Sequence, residues 1–134
     1  MAGYSATALA RKLSLKDGLR VWWPGMPASV RAAIDAAGLN LVQLSAPEAP
    51  VEAAHVFATR RAELEAAVEA LRPVLAPAGF LWVSWPKKSS GLAREVTEDD
   101  VRSVALPTGL VDIKVCAVDD TWSGLKLVIR RDLR

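Results

Sequence analysis

The residues best suited to chemistry fall in short polar segments that follow apolar runs. Lys87, Lys88, Ser89 and Ser90 follow Trp85-Pro86 in "LWVSWPKKSSG", Arg60 and Arg61 follow "AAHVFAT", and Asp119, Asp120 and Trp122 make up most of "DDTW". Lysines beside hydroxyls and a glycine offer charge-assisted donors to a phosphate or carboxylate. A tryptophan at a strand end supplies a flat wall for a ligand to stack on. The candidate ligand-binding set is therefore Arg60, Trp85, Lys87, Lys88, Ser89, Ser90, Asp119, Asp120 and Trp122. No catalytic residue is assigned. Two plainer readings stand beside this one. Lys87 or Lys88 pairs with Asp119 or Asp120 and closes the edge, a lock worth ~0–1 kcal/mol if exposed. Or the segment is an ordinary solvated connection, polar as loops are. It is not a P-loop, because the glycine-rich run before its lysine is missing.

Other reactive types are sparse. Asp99 and Asp100 resemble paired acids, but carboxylates in a first helical turn are favoured by the helix dipole. The one cysteine, Cys116, sits in the apolar run "VDIKVCAV" and reads as a small buried hydrophobe with no histidine to activate it. The one histidine, His55, lies in another apolar run, so no cluster of metal ligands is present and no metal is expected. The net charge of +2 is too small and too scattered for a nucleic-acid face. No run reaches the roughly 18 apolar residues of a membrane span, and the first residues hold no signal-peptide core. A cytoplasmic protein is expected, with a small anionic ligand or a protein as partner and neither nucleic acid nor membrane. Its oligomeric state stays open.

The elements that must position these groups alternate between helix and strand. Ser5 is placed to cap a helix over "ATALARKLSL" that Gly18 ends, and "LRVWW" follows as a strand stopped at Pro24-Gly25. "MPASVRAAIDAAG" reads as a helix capped by Ser29 and closed by Gly38. "LNLVQL" and "AAHVFAT" are the second and third strands, joined by eight residues, "SAPEAPVE", that cannot be helical. Thr59 caps a helix with Leu64, Val68 and Leu71 on one face. "APAG" is a turn before the apolar fourth strand "FLWVSW". Thr97 and Asp100 form a capping box for "TEDDVRSVAL", and "LVDIKVCAV" and "LKLVIRR" form an antiparallel hairpin around "DDTWSG".

Such alternation predicts one domain over 1–134, an α/β three-layer Rossmann-like fold with about six mostly parallel strands and an antiparallel C-terminal hairpin. Val56, Phe57, Leu81, Val83, Val115, Leu127 and Val128 are expected in the core, with Trp22, Trp23 and Trp82. Trp85 and Trp122 are expected to be partly exposed. The bare link between strands two and three must climb ~17–20 Å and step two spacings of ~4.8 Å. Eight extended residues reach ~26 Å, so a parallel second strand is just possible, and an antiparallel edge strand is the alternative. In a parallel sheet ligands sit at the carboxyl ends of the strands, which is where all the candidate residues fall.

Two resemblances follow. "LEAAVEALRPVLAPAGFLWVSWP" resembles the later half of class I S-adenosylmethionine-dependent methyltransferases, where a helix, a turn and an apolar strand precede a helix and an antiparallel hairpin. That resemblance implies their strand order, with one strand-helix unit missing between strands two and three. "GYSATALARKL", "LWVSWPKKSSG" and "TEDDVRSVALPTGLVDIKVCAVDDTWSGLKLVIRR" resemble a small uncharacterised bacterial family, a domain of unknown function that brings no activity with it. The methyltransferase pattern is broken where the cofactor would lie. The Gly-x-Gly loop is replaced by "WWPGMPAS" with the single Gly25, and the acid ending strand two is replaced by Ser45, Glu48 being the nearest carboxylate. No cofactor is therefore expected. A cofactor-free binding or interaction module is the leading expectation, and a small enzyme or a binder of an anionic metabolite at the carboxyl edge is the alternative.

Overall fold

The computed structural model describes residues 6–92 and 95–134. The expected Ser5 cap lies outside them. Four helices and six strands follow in the order α1 (Ala6–Lys12), β1 (Arg20–Trp22), α2 (Ala28–Asp35), β2 (Val42–Gln43), β3 (Val51–Phe57), α3 (Arg61–Leu71), β4 (Leu75–Pro86), α4 (Glu98–Ala105), β5 (Leu110–Ala117) and β6 (Trp122–Ile129). The strands form one sheet in the order β2-β1-β3-β4-β6-β5. β1 pairs parallel with β2 and β3, and β3 pairs parallel with β4. β6 runs antiparallel between β4 and β5. This is the mostly parallel α/β architecture anticipated from the alternation of elements, in the strand order that the methyltransferase resemblance implies.

The period-two pattern of the strands sorts side chains onto two faces. Val56, Leu81, Val83, Leu125 and Leu127 pack with Leu64, Val68 and Leu71 of α3 and with Val101 and Ala105 of α4. Val21, Ala53, Phe57 and Trp82 pack on the opposite face with Ala10 of α1, with Leu13 just beyond it and with Val30 and Ile34 of α2. Three expected core residues are not fully buried, and one of them is Trp22, half-buried against the α3/α4 cluster. Val115 is 51% exposed, and Val128 is only half-buried. A register shift between Asp112 and Lys114 makes Ile113 an extra residue in β5 and sets Val115 opposite Leu125 and Val111 opposite Val128.

Several boundaries move for local reasons. Pro27, not Ser29, precedes α2, its fixed φ of −61° setting up the first turn. α1 stops early because Ser14 takes the left-handed position (φ 65°), and Leu15 N–H returns to Ala10 C=O at 3.0 Å. Gly18 belongs to the turn beyond it. At α3 the cap is Glu63, whose carboxylate accepts the N–H groups of Thr59 (3.2 Å) and Arg60 (3.1 Å). The Thr97–Asp100 capping box forms as expected. "APAG" is counted within a longer β4, with Pro77 and Ala78 exposed.

The strained junction resolves in favour of a parallel β2 at the sheet edge. That strand is only two residues long, so the return segment has little to climb. Arg20, at the start of β1, holds the segment where it reaches the next strand. Its Nε donates to Pro50 C=O at 2.7 Å and its Nη2 to Glu48 C=O at 3.3 Å.

Candidate functional site

β4 carries the pairing of the sheet to its carboxyl end, where Trp85 stands opposite Ser123 and Pro86 opposite Trp122. Proline ends the strand because it has no ladder N–H beyond that point. Lys87 N–H then donates to Thr121 C=O at 2.7 Å, so the lysine segment and the "DDTW" turn are joined by backbone. Lys88–Ser90 make a single 3₁₀ turn closed by Gly91 in the left-handed region. Ser90 Oγ accepts the N–H of Leu92 at 3.1 Å. The topology therefore brings Trp85, Lys87, Lys88, Ser89, Ser90, Asp119, Asp120 and Trp122 to one edge.

Their roles separate on inspection. Trp85 is 5% exposed and belongs to the core on the α3/α4 face, so it is not the open wall expected from its position. Trp122 is half-buried, its ring edge-on to Phe57 at 5.1 Å. Asp119 Oδ1 accepts the N–H groups of Thr121 and Trp122, both at 2.8 Å, and so builds the turn. Asp120, Lys88 and Arg60 are exposed. Among the described residues no ion pair joins Lys87 or Lys88 to Asp119 or Asp120. Arg61 turns away from the edge to α4, reaching Asp100 at 3.0 Å and Ser103 at 2.9 Å. The backbone N–H of Thr97, then its hydroxyl and Arg61, hold the Asp100 carboxyl below the usual carboxylate range.

An open cleft of about 470 Å³ lies between this edge and the N-terminus of α4. It is lined by Trp85 and Lys88 of the β4 end, Val115 and Ser123 of the hairpin, and Thr97, Glu98 and Asp99 at the start of α4. Trp85 and Lys88 were legible as candidates. Ser123 and Val115 were not, because a hairpin strand gives no signal of which neighbour it faces. Glu98 is drawn to Arg102 at 2.6 Å, and Arg102 also reaches Asp112 at 3.0 Å, so α4 is pinned to β5 beside the cleft.

The sheet also has a topological switch between β1 and β3, the place where open α/β sheets hold nucleotide cofactors. Here the loop after β1 is bonded to the end of β3. Phe57 N–H donates to Pro24 C=O at 3.3 Å, carrying the pairing past the end of β1. Gly25, at φ +76°, lies so close that a Cβ on it would be 3.2 Å from Phe57 O. Trp23 and Phe57 are 7% and 8% exposed. The single glycine of this loop thus serves its approach to β3, and Pro24 and Pro27 supply no N–H to a ligand. Behind the crevice His55 Nε2 meets Ser84 Oγ at 2.7 Å, under Phe57 stacked at 4.3 Å. His55 is 2% and Ser84 0% exposed, so this pair is a satisfied piece of core. Burial pulls the imidazole pKa from 6.5 down to about 3. Cys116 is half-buried, and burial pushes its thiol up. Among the described residues no group of side chains is arranged to hold a metal, and no helix is long and apolar enough to cross a membrane.

Comparison with solved structures fits this architecture. An S-adenosylmethionine-dependent methyltransferase from Aquifex aeolicus superposes with a TM-score of 0.63 at 15% identity, covering 94% of this chain and 90% of the other. A precorrin-6y C5,15-methyltransferase from Geobacter metallireducens gives 0.60 at 13% identity, covering 92% and 87%. A TehB-like methyltransferase from Corynebacterium glutamicum gives 0.59 at 10%, covering 96% and 89%. At such identities the likeness is one of fold. No protein-family model matches the chain, so the resemblance to a small bacterial family gains no support there. No curated protein matches it either.

Proposed function

We propose that this chain is a methyltransferase-like domain that works without S-adenosylmethionine, as a binding or interaction module. One observation carries the reading: the loop after β1 is bonded to the end of β3 and packed on it at Gly25, in the crevice a cofactor of this fold would need. A cofactor would have to displace Trp23 and Phe57, which are core residues, and would find no acid at the end of β2 to take its ribose. Titration calorimetry with S-adenosylmethionine and S-adenosylhomocysteine tests this. No heat of binding is expected, and affinity in the micromolar range, about −8 kcal/mol, overturns the reading.

A second reading is favoured by the cleft. Lys87 and Lys88 have no ion-pair partner among the described residues, and Lys88 lines the cleft with Ser123 across from α4. A carboxylated or phosphorylated metabolite fits on that side, away from Glu98 and Asp99. A thermal-shift panel of such metabolites tests it, since a ligand that binds only the native state raises the melting point. A shift lost in the Lys87→Ala/Lys88→Ala double variant supports the metabolite site. A panel without any shift leaves the loop as a polar connection.

A further inference from the structure

The α1/α2 face of the sheet is unevenly covered. α1 reaches over β4, where Trp82 Nε1 donates to Leu13 C=O at 3.0 Å, and its end touches β6, where Lys126 Nζ donates to Ser14 Oγ at 2.9 Å. Toward the amino edge, Phe80, Val128 and Val111 stand opposite one another across β4, β6 and β5. All three are only half-buried, Phe80 against the margin of the α1/α2 core and Val128 and Val111 outside both core clusters, which makes a short apolar row at the edge of that core among the described residues. One step along, Lys126 and Lys114 are cross-strand partners. Like charges placed directly opposite are unfavourable in a sheet. Among the described residues no carboxylate is ion-paired to either lysine. The other β5 and β6 positions on this face are Val111, Cys116, Trp122, Gly124 and Val128, and Asp112 is turned to Arg102 of α4 on the far side. Among the described residues Lys114 has no ion pair, and Lys126 lies over the Phe80 ring at 4.5 Å. Burial, and then Lys114, pull the Lys126 pKa below the usual lysine range.

We propose that this strip of β5 and β6 is a docking face for an acidic amphipathic helix of a partner protein, whose apolar side would cover Phe80, Val128 and Val111 and whose carboxylates would meet Lys114 and Lys126. Charge complementarity selects an acidic occupant. The bulge at Ile113 and the lysine beside it guard the free edge of β5 against strand addition, so the face and not the edge is what is offered. The opposite face of the same two strands is already roofed by α4, so a helix here would complete the third layer. This deepens the interaction-module reading and rests on it.

The test uses two designed helical peptides of about 14 residues, ~21 Å long. Each carries a leucine stripe, one with glutamates on its remaining positions and one with lysines. Chemical-shift mapping on the intact chain is expected to move the amides of Val111, Lys114, Lys126 and Val128 with the glutamate peptide alone. Lys114→Glu, an exposed change that spares the fold, is expected to weaken that binding by about five-fold or more, the scale of one charge pair near 1 kcal/mol. Four results overturn the proposal. They are no shift at these amides, equal binding of both peptides, a concentration-dependent dimer that Lys114→Glu abolishes, and co-sedimentation with phosphatidylserine vesicles. None of them depends on the S-adenosylmethionine titration, so the two readings fail separately.

Discussion

Acid should unfold this protein through His55 well before its carboxylates matter. The imidazole is 2% exposed, bonded to Ser84 Oγ, stacked on Phe57 and tilted against Trp82 at 6.4 Å. Desolvation lowers its pKa from 6.5 to about 3 in the folded chain. Well above pH 6.5 neither state is protonated, and the histidine has no effect on the pH dependence. Below 6.5 the unfolded chain takes up a proton that the folded chain refuses, so stability falls as pH falls. The slope approaches ~1.4 kcal/mol per pH unit and continues until the folded pKa is reached. Between pH 7 and pH 5 the loss from this residue is about 2 kcal/mol. Asp100 acts in a lower window: its lowered pKa gives stability present above 3.8 and lost as pH falls through the folded value. Urea unfolding at both pH values should therefore show His55→Gln, which keeps a polar partner for Ser84, losing about 2 kcal/mol less than the native chain. If that variant does not fold, the imidazole resonances of the native protein serve instead and should stay neutral down to pH 4.5. Equal losses in the two proteins, or an imidazole that titrates near 6.5, refute the reasoning.

Further outcomes follow from the same contacts. Gly25→Ala should cost about 1–2 kcal/mol in chemical denaturation, because φ +76° disfavours any Cβ and Phe57 O lies 3.2 Å from its place. Leu81→Ala, at 0% exposure between β3 and β6, should cost about 2–5 kcal/mol. Thr97→Ala removes the α4 cap and should cost about 1 kcal/mol, with Asp100→Ala similar, both read from shifts in the urea midpoint.

The architecture was legible because its signals are local and repeated. "FLWVSW" alternates sides yet is apolar on both, which only a strand between two helical layers requires, and Leu64, Val68 and Leu71 recur at helical spacing. Boundaries were less legible where a tertiary contact outranks propensity. Arg20 gripping the return segment permits a two-residue β2 that no pattern announces. Ser14 ends α1 in the left-handed region, and its hydroxyl accepts from Lys126, 112 residues away. The bulge at Ile113 exposes Val115 and leaves Lys114 beside Lys126, and neither follows from "LVDIKVCAV" read as a simple alternating strand.

The candidate site shows the same division. Chain order alone places Lys87, Lys88 and the "DDTW" turn at the carboxyl edge, since strand direction decides which loops share an end. What faces a ligand there depends on the parity of each strand, and that parity puts Trp85, Ser123 and Val115 together at the cleft while Trp122 packs on the other face. Gly25 makes the point in reverse. A lone glycine after the first strand invites comparison with cofactor loops, but its neighbour is the carbonyl of Phe57. A glycine that lets backbone meet backbone closes a crevice, whereas one that lets backbone meet phosphate opens it. The two uses share one residue type and opposite consequences, so composition could raise the question of S-adenosylmethionine and only the distance could bear on it.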